Sequence, residues 1–126
     1  MARILIAEDE RDIRELIEFT LKIMAGHDVI AAANGEEAVS LARTEQPDLI
    51  MLDMRMPKMT GIEACVALKA DDDVKAIPVV FLSAKSSEEQ LAAGANTGAI
   101  GFINKPFAPD ELIARVSEIL TEIGMA

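Results

Sequence analysis

Two hydrophobic patterns alternate along the chain. Short apolar runs occur at Ile4–Ala7, Val29–Ala33, Leu49–Leu52, Ile77–Leu82 and Ile100–Ile103. Each has strand length, and three are rich in Ile or Val. Pro78 falls near the start of the fourth run, where a strand best tolerates a missing donor. Between the runs lie longer stretches with helical spacing. In the first, Ile13, Leu16, Ile17, Leu21 and Met24 form one stripe, which predicts an amphipathic helix. The second opens Asn34-Gly35-Glu36-Glu37, with Asn34 as the cap and Glu37 at the third helical position. A third, from about Thr60 to Ala70, should turn Ile62, Cys65 and Val66 inward. The fourth, about Ser86 to Asn96, carries Gly94 and ends in Asn96-Thr97-Gly98, so propensity holds it loosely and it is expected to be the most mobile element. The last begins at Pro109, followed by Asp110 and Glu111, which suit a helix N-terminus. Its buried face should be Leu112, Val116, Ile119, Leu120 and Ile123.

Five strands alternating with five helices predict an α/β fold with right-handed crossovers: a parallel sheet covered by helices on both faces. The 126 residues fit one domain, 1–126, with no repeat or linker. Aliphatic residues dominate and Trp and Tyr are absent, which suits strands buried on both faces. The net charge of −10 opposes nucleic acid and anionic membrane surfaces. One cysteine, Cys65, rules out an internal disulfide framework. Acidic residues by position 8 come too early for a signal peptide, and no apolar run approaches transmembrane length. A cytoplasmic protein is expected.

In such folds sites gather beyond the carboxyl ends of the strands. Glu8, Asp9 and Glu10 follow the first predicted strand, Asp53 ends the third, Ser83-Ala84 ends the fourth, and the fifth runs into Lys105-Pro106. If the first and third strands are neighbours, Glu8 or Asp9 converges on Asp53. Two like charges about 4 Å apart repel by roughly 4 kcal/mol at an effective dielectric near 20. Such a cluster needs a shared proton, a cation or both, and Mg2+ with its preference for oxygen ligands fits. The plainer alternative has Asp9 capping the first helix and Asp53 ending a strand in solvent. For Asp53, at the mouth of the core after Leu49-Ile50-Met51-Leu52, burial is costly unless something compensates it. Lys105 could neutralise it, with Pro106 restraining the backbone as a candidate cis peptide; otherwise Lys105 is a surface lysine. Ser83 is either a strand-end hydroxyl or a donor to a phosphoryl oxygen.

Together these residues resemble the response-regulator receiver family, which includes the single-domain chemotaxis regulators. The most specific part is Asp53-Met54-Arg55-Met56-Pro57-Lys58-Met59-Thr60-Gly61, similar to the family's D-x-x-M-P-x-x-x-G segment. Glu8-Asp9, Ser83-Ala84 and Lys105-Pro106-Phe107 follow in family order, and the resemblance covers essentially the whole chain. It implies a flavodoxin-like sheet in the order 2-1-3-4-5. It implies that Asp53 accepts a phosphoryl group from a histidine kinase or phosphotransfer protein. Asp9 would then be a direct Mg2+ ligand, Glu8 an outer acid acting mostly through water, and the Arg55 backbone carbonyl a further ligand. Lys105 would pair with the phosphoryl group and Ser83 would move to hydrogen-bond it. Phe102 would be the aromatic switch, which otherwise reads as a plain core phenylalanine.

The implied output is a population shift in the surface of the fourth helix, fifth strand and fifth helix. Phe102 lacks a hydroxyl, which excludes any output through a tyrosine hydrogen bond. Arg55 and Lys85 stand where the family tunes phosphate lifetime, and two cations there predict a long-lived phosphoryl group. The implied protein is a switch and not an enzyme, catalysing only its own phosphorylation and autodephosphorylation. Only Gly124-Met125-Ala126 follow the last predicted helix, so the expected output is a protein effector in trans, unless the chain is an excised fragment; a monomer is expected.

Three other readings compete. An aspartate-nucleophile phosphohydrolase resembles D-x-D, and Arg55 cannot serve as its second Asp. A flavin-binding flavodoxin-like domain needs hydroxyl-rich loops and a stacking Trp or Tyr. A pseudo-receiver with a dead site conflicts with the intact acid set. His27, in Gly26-His27-Asp28, reads as a loop residue, and Cys65 and the seven methionines as packing.

Overall fold

In the computed structural model, five strands run parallel: β1 (Arg3–Ala7), β2 (Asp28–Ala32), β3 (Leu49–Asp53), β4 (Val79–Ala84) and β5 (Gly101–Lys105). The structure describes residues 1–84, 92, 94, 96–105 and 107–124. The strands order as β2-β1-β3-β4-β5. Among the described residues the helices are α1 (Arg11–Phe19), continued by a π-helical turn (Thr20–Met24), α2 (Gly35–Glu45), α3 (Gly61–Lys69) and α4 (Pro109–Glu122). The predicted Ser86–Asn96 helix, with Lys85 and Pro106, lies largely outside the described residues.

The sheet divides the core in two, because alternate strand residues face opposite sides. Leu5, Ile50, Leu52 and Phe81 pack with Ala38, Ala42, Ala64, Cys65 and Leu68 from α2 and α3. Ile4, Ile6, Met51, Val80 and Leu82 pack with Ile17 and Leu21 beside α1 and with Leu112, Val116 and Ile119 of α4. Both faces are therefore dry, as the unbroken apolar runs require.

Local chemistry sets the helix starts. Asn34 caps α2 by accepting from the Glu37 amide at 2.9 Å, while the Glu37 carboxylate accepts from the Ala33 amide at 3.3 Å. Thr60 and Glu63 form a reciprocal capping box on α3, at 3.2 and 3.0 Å. The Ala108 amide donates to Glu111 at the start of α4.

Several inward assignments need correction. Leu16 is 41% exposed and Met24 55% exposed. The chain leaves the α register at Thr20, whose carbonyl accepts from the Ala25 amide five residues on. That wider turn rotates the residues after Leu21 off the core stripe, and Phe19 and Ile23 are also exposed. Thr20 itself is buried, with no partner for its hydroxyl among the described residues. Val66 is exposed as well, since α3 turns Ala64, Cys65 and Leu68 to the sheet instead. Pro78 and Ile100 precede their strands: the Pro78 carbonyl accepts from the Ile50 amide, and the Ile100 amide donates to Val79. No helix among the described residues is long and apolar enough to cross a membrane.

Candidate functional site

The register brings the polar residues to one end of the sheet. Ala7 pairs with Leu52, so Glu8 and Asp53 emerge side by side where β1 and β3 end. Asp53 pairs with Leu82, Ser83 with Asn104, and Ala84 with Lys105. The sheet order thus places Lys105 at the same end as the acids, from the other half of the sheet.

Glu8 is fully buried and Asp53 is 8% exposed. A buried carboxylate requires compensation, and the Lys105 ammonium supplies it to both, at 2.5 Å from Glu8 Oε1 and 3.1 Å from Asp53 Oδ1. The second oxygen of Glu8 accepts from the Glu10 amide at 3.3 Å. Burial works against the charged form of Lys105, but the hydrogen bond to Glu8 and the charges of Asp53 and Glu8 outweigh it and raise its pKa. Asp9 projects into solvent beside them. Its pKa is raised by partial burial first, then by its hydrogen bond with Glu8 and that residue's charge.

One carboxylate oxygen from each of Glu8, Asp9 and Asp53 lies within 4.8 Å of the others. Three carboxylates face one ammonium, and every donor is a hard oxygen. That donor set fits a divalent cation such as Mg2+, which takes one or two protein carboxylates and fills its remaining positions with water or phosphate. It does not suit a soft metal, since neither sulfur nor imidazole is in the cluster.

Ser83 is 1% exposed, and its hydroxyl has no hydrogen-bond partner among the described residues. Phe102 is half-buried, its ring centroid 5.8 Å from that of Phe81. Gly94 is buried against this pair: a Cβ there would lie 3.0 Å from both rings. Its glycine thus has a packing reason besides weak helix propensity. Arg55 is exposed, in the loop after β3. His27 stands at the opposite end of the sheet, accepting from the Ala2 amide. Asp9 does not cap α1; Glu10 occupies that position without a side-chain hydrogen bond.

Sequence reasoning missed three supports. The Arg14 guanidinium donates to the backbone carbonyls of Glu8 at 2.9 Å and Asp9 at 3.4 Å, fixing the acid pair's backbone. An arginine one turn beyond an acid pair was the available signal. Gly35 and Gly61 admit close backbone contacts on the loop after β3, for which the chain offers no sign beyond the glycines themselves.

A family model described as the response regulator receiver domain matches residues 4–117. The alkaline phosphatase synthesis transcriptional regulatory protein PhoP of Bacillus subtilis is 42% identical over 124 residues, covering 98% of this chain and 50% of that protein. The phosphate regulon transcriptional regulatory protein PhoB of Pseudomonas aeruginosa is 40% identical over 121 residues, covering 96% of this chain and 52% of its own. The chain therefore spans about half the length of these curated relatives. Among solved structures, chemotaxis protein CheY4 of Vibrio cholerae superposes with a TM-score of 0.88 at 35% identity, covering 95% of this chain and 99% of that one. The signal receiver domain of a histidine kinase from Syntrophus aciditrophicus gives 0.87 at 32% identity, covering 100% and 95%. Sequence and backbone agree along nearly the whole length, and the chain belongs to the response regulator receiver domain family, the phosphorylation-dependent switches of two-component signalling.

Proposed function

We propose that Asp53 accepts a phosphoryl group from the phosphohistidine of a histidine kinase or phosphotransfer protein. The observation that carries this reading is the shared ammonium: Lys105 bridges Glu8 and Asp53 in a pocket where three carboxylates meet. In the transfer, an Asp53 oxygen bonds to phosphorus as the phosphorus–nitrogen bond breaks. The donor imidazole, protonated on its other ring nitrogen, leaves with the electron pair and so ends neutral. Phosphoryl transfer needs mainly positioning and charge neutralisation. Asp9 and Asp53, with the Arg55 carbonyl, would hold Mg2+ directly, and Glu8 would act mostly through water. When bound, the ion neutralises charge on the transferring oxygens. Lys105 remains within reach of Asp53 and pairs with the new phosphoryl oxygens, and Ser83, whose hydroxyl has no partner among the described residues, donates to one of them. Phe102 then turns inward, shifting the surface of β5 and α4. Autodephosphorylation, slowed by Arg55, resets the switch.

The output proposed is a protein effector in trans. Relatives named as transcriptional regulators are about twice as long, which favours a second reading in which this unit controls an attached output domain. Co-purification of partners with and without beryllium fluoride separates the two. Effector capture only in the activated state supports action in trans.

Incubation with acetyl phosphate and Mg2+ tests the acceptor. One phosphoryl group per chain is expected by intact mass, lost in Asp53→Asn and on removal of Mg2+. Labelling that persists in Asp53→Asn would falsify the assignment.

A further inference from the structure

The loop from Met54 to Thr60 joins the end of β3 to α3, and two glycines hold it where no side chain would fit. At its base, a Cβ on Gly61 would lie 2.9 Å from the Asp53 carbonyl carbon and from Met54 Cα. The Gly61 amide donates there to the Met54 carbonyl at 3.2 Å. On its far side, a Cβ on Gly35, the first residue of α2, would lie 2.8 Å from the carbonyl carbon and Cβ of Met59, and closer still to the carbonyl oxygen. Real Cβ atoms essentially never approach within 3.0 Å, so any side chain at Gly35 must displace the loop or the helix. Neither glycine has a positive φ, so both are needed for space and not for conformation.

Between these contacts the loop stores strain. Lys58 has φ +67°, a left-handed conformation unfavourable for a lysine. The Met59 amide closes a three-residue turn onto the Pro57 carbonyl at 2.7 Å. Such a turn persists only where its surroundings over-determine it. Met54 and Met56 are buried in the core and Met59 packs against it, which ties the loop inward. The bare backbone of α2 at Gly35 supplies the wall on the other side.

We infer that Gly35 is a positioning residue for the acidic centre. By letting α2 sit directly on Met59, it holds the strained loop so that Arg55 and Asp53 keep their place opposite Glu8 and Asp9. This rests on the proposed function, in which Asp53 and the Arg55 carbonyl contribute to holding Mg2+. A residue that orients metal ligands without touching the ion commonly changes affinity about 10- to 100-fold when altered.

The test is Mg2+ titration of the whole chain, read by thermal shift, with metal-free urea midpoints measured in parallel. Gly35→Ala should weaken Mg2+ binding about 10-fold. Ala42→Gly, two turns further along α2, lowers stability without touching the loop and should leave the affinity within about twofold. Gly35→Ala/Lys58→Gly should recover much of the loss, because glycine lets the turn re-form against a displaced wall. Should Gly35→Ala fail to fold, Lys58→Gly against the double variant carries the same comparison. Parental affinity in Gly35→Ala, or an equal loss in Ala42→Gly, overturns the inference alone. A parent chain that shows no Mg2+ response overturns the proposed function and this inference with it.

Discussion

The two ends of the sheet handle charge differently. At the amino ends of the strands the charges meet at the solvent-accessible surface: Arg3 pairs with Asp28 at 2.9 Å and donates to the Glu45 carbonyl, and the Arg3 amide donates to Asp48. At the carboxyl ends, the Lys105 ammonium serves two buried carboxylates, Glu8 and Asp53, while a third, Asp9, lies beside them with no salt bridge among the described residues. The first arrangement closes the bottom of the fold at little cost. The second leaves negative charge uncompensated and a serine hydroxyl unpartnered among the described residues. The first end can serve stability alone, while the second, under the proposed function, also keeps a place for a cation and a phosphoryl group.

Removing the one shared cation should break this contrast most severely. Lys105→Met leaves Glu8 buried without a counter-ion among the described residues, and breaking a buried pair from one side costs about 3 kcal/mol or more. Urea unfolding of the metal-free protein at neutral pH should register that loss, and Mg2+ should restore part of it. The sign with pH follows from the raised pKa of Lys105. Its contribution is fully present below the ordinary value of 10.5 and is lost as pH rises through the higher folded value. The variant should therefore lack the parent's alkaline decline from this group. A loss no greater than that of an exposed pair would mean that water reaches Glu8 in the native state.

Arg3→Met probes the opposite end. Its partners are all solvent-accessible, with the Arg3 side chain 46% exposed, so the expected loss is about 0.5–1 kcal/mol and shrinks with added salt. A loss matching that of Lys105→Met would erase the distinction between the ends. Asp9→Asn should do the reverse of both. Because burial and Glu8 raise the Asp9 pKa, its ionised form opposes folding, and neutralising it should stabilise the metal-free protein. After solvent screening the gain is on the order of 0.5 kcal/mol. The same variant should bind Mg2+ more weakly, so stability and metal affinity move in opposite directions.

These expectations rest on features unequally legible in the sequence. The strands could be read because both faces of the sheet are dry, which makes each an unbroken apolar run. The acids and Lys105 could be placed because a parallel sheet sends every strand's carboxyl end the same way. Lys105 could be set opposite Asp53, as the structure has it, but its tighter bond to Glu8 could not be read. Its 2.5 Å contact is to Glu8, 97 residues away in sequence, and the bond to Asp53 is the longer one. The π turn at Thr20 was equally hidden, since an α-helical stripe counted at 3.6 residues per turn carries Met24 onto the core face, where it does not lie. Gly35 reads locally as part of a helix start, and its role depends on Met59 arriving from another part of the chain.

The smallest effect sharpens the comparison through the sign of its pH dependence. His27 accepts from the Ala2 amide through Nδ1 at 3.1 Å, and burial, then the chain's amino group, lowers its pKa below the ordinary 6.5. The folded state therefore holds this imidazole neutral while the unfolded chain protonates it. Its contribution is complete above pH 6.5 and is lost as pH falls from there through the folded value. Asp9 gives the opposite slope: its cost is absent below 3.8 and grows as pH rises through its raised folded value. His27→Asn keeps a side-chain acceptor at the Nδ1 position and does not titrate. Urea midpoints from about pH 7.5 to 5.5 should fall by a few tenths of a kcal/mol more in the parent than in this variant, the imidazole being half-exposed and screened. Asp9→Asn should leave that difference intact and alter only the acidic limb. Were His27→Asn to change the acidic limb as well, the two ends of the sheet would be electrostatically coupled through the core, and treating them separately would be wrong.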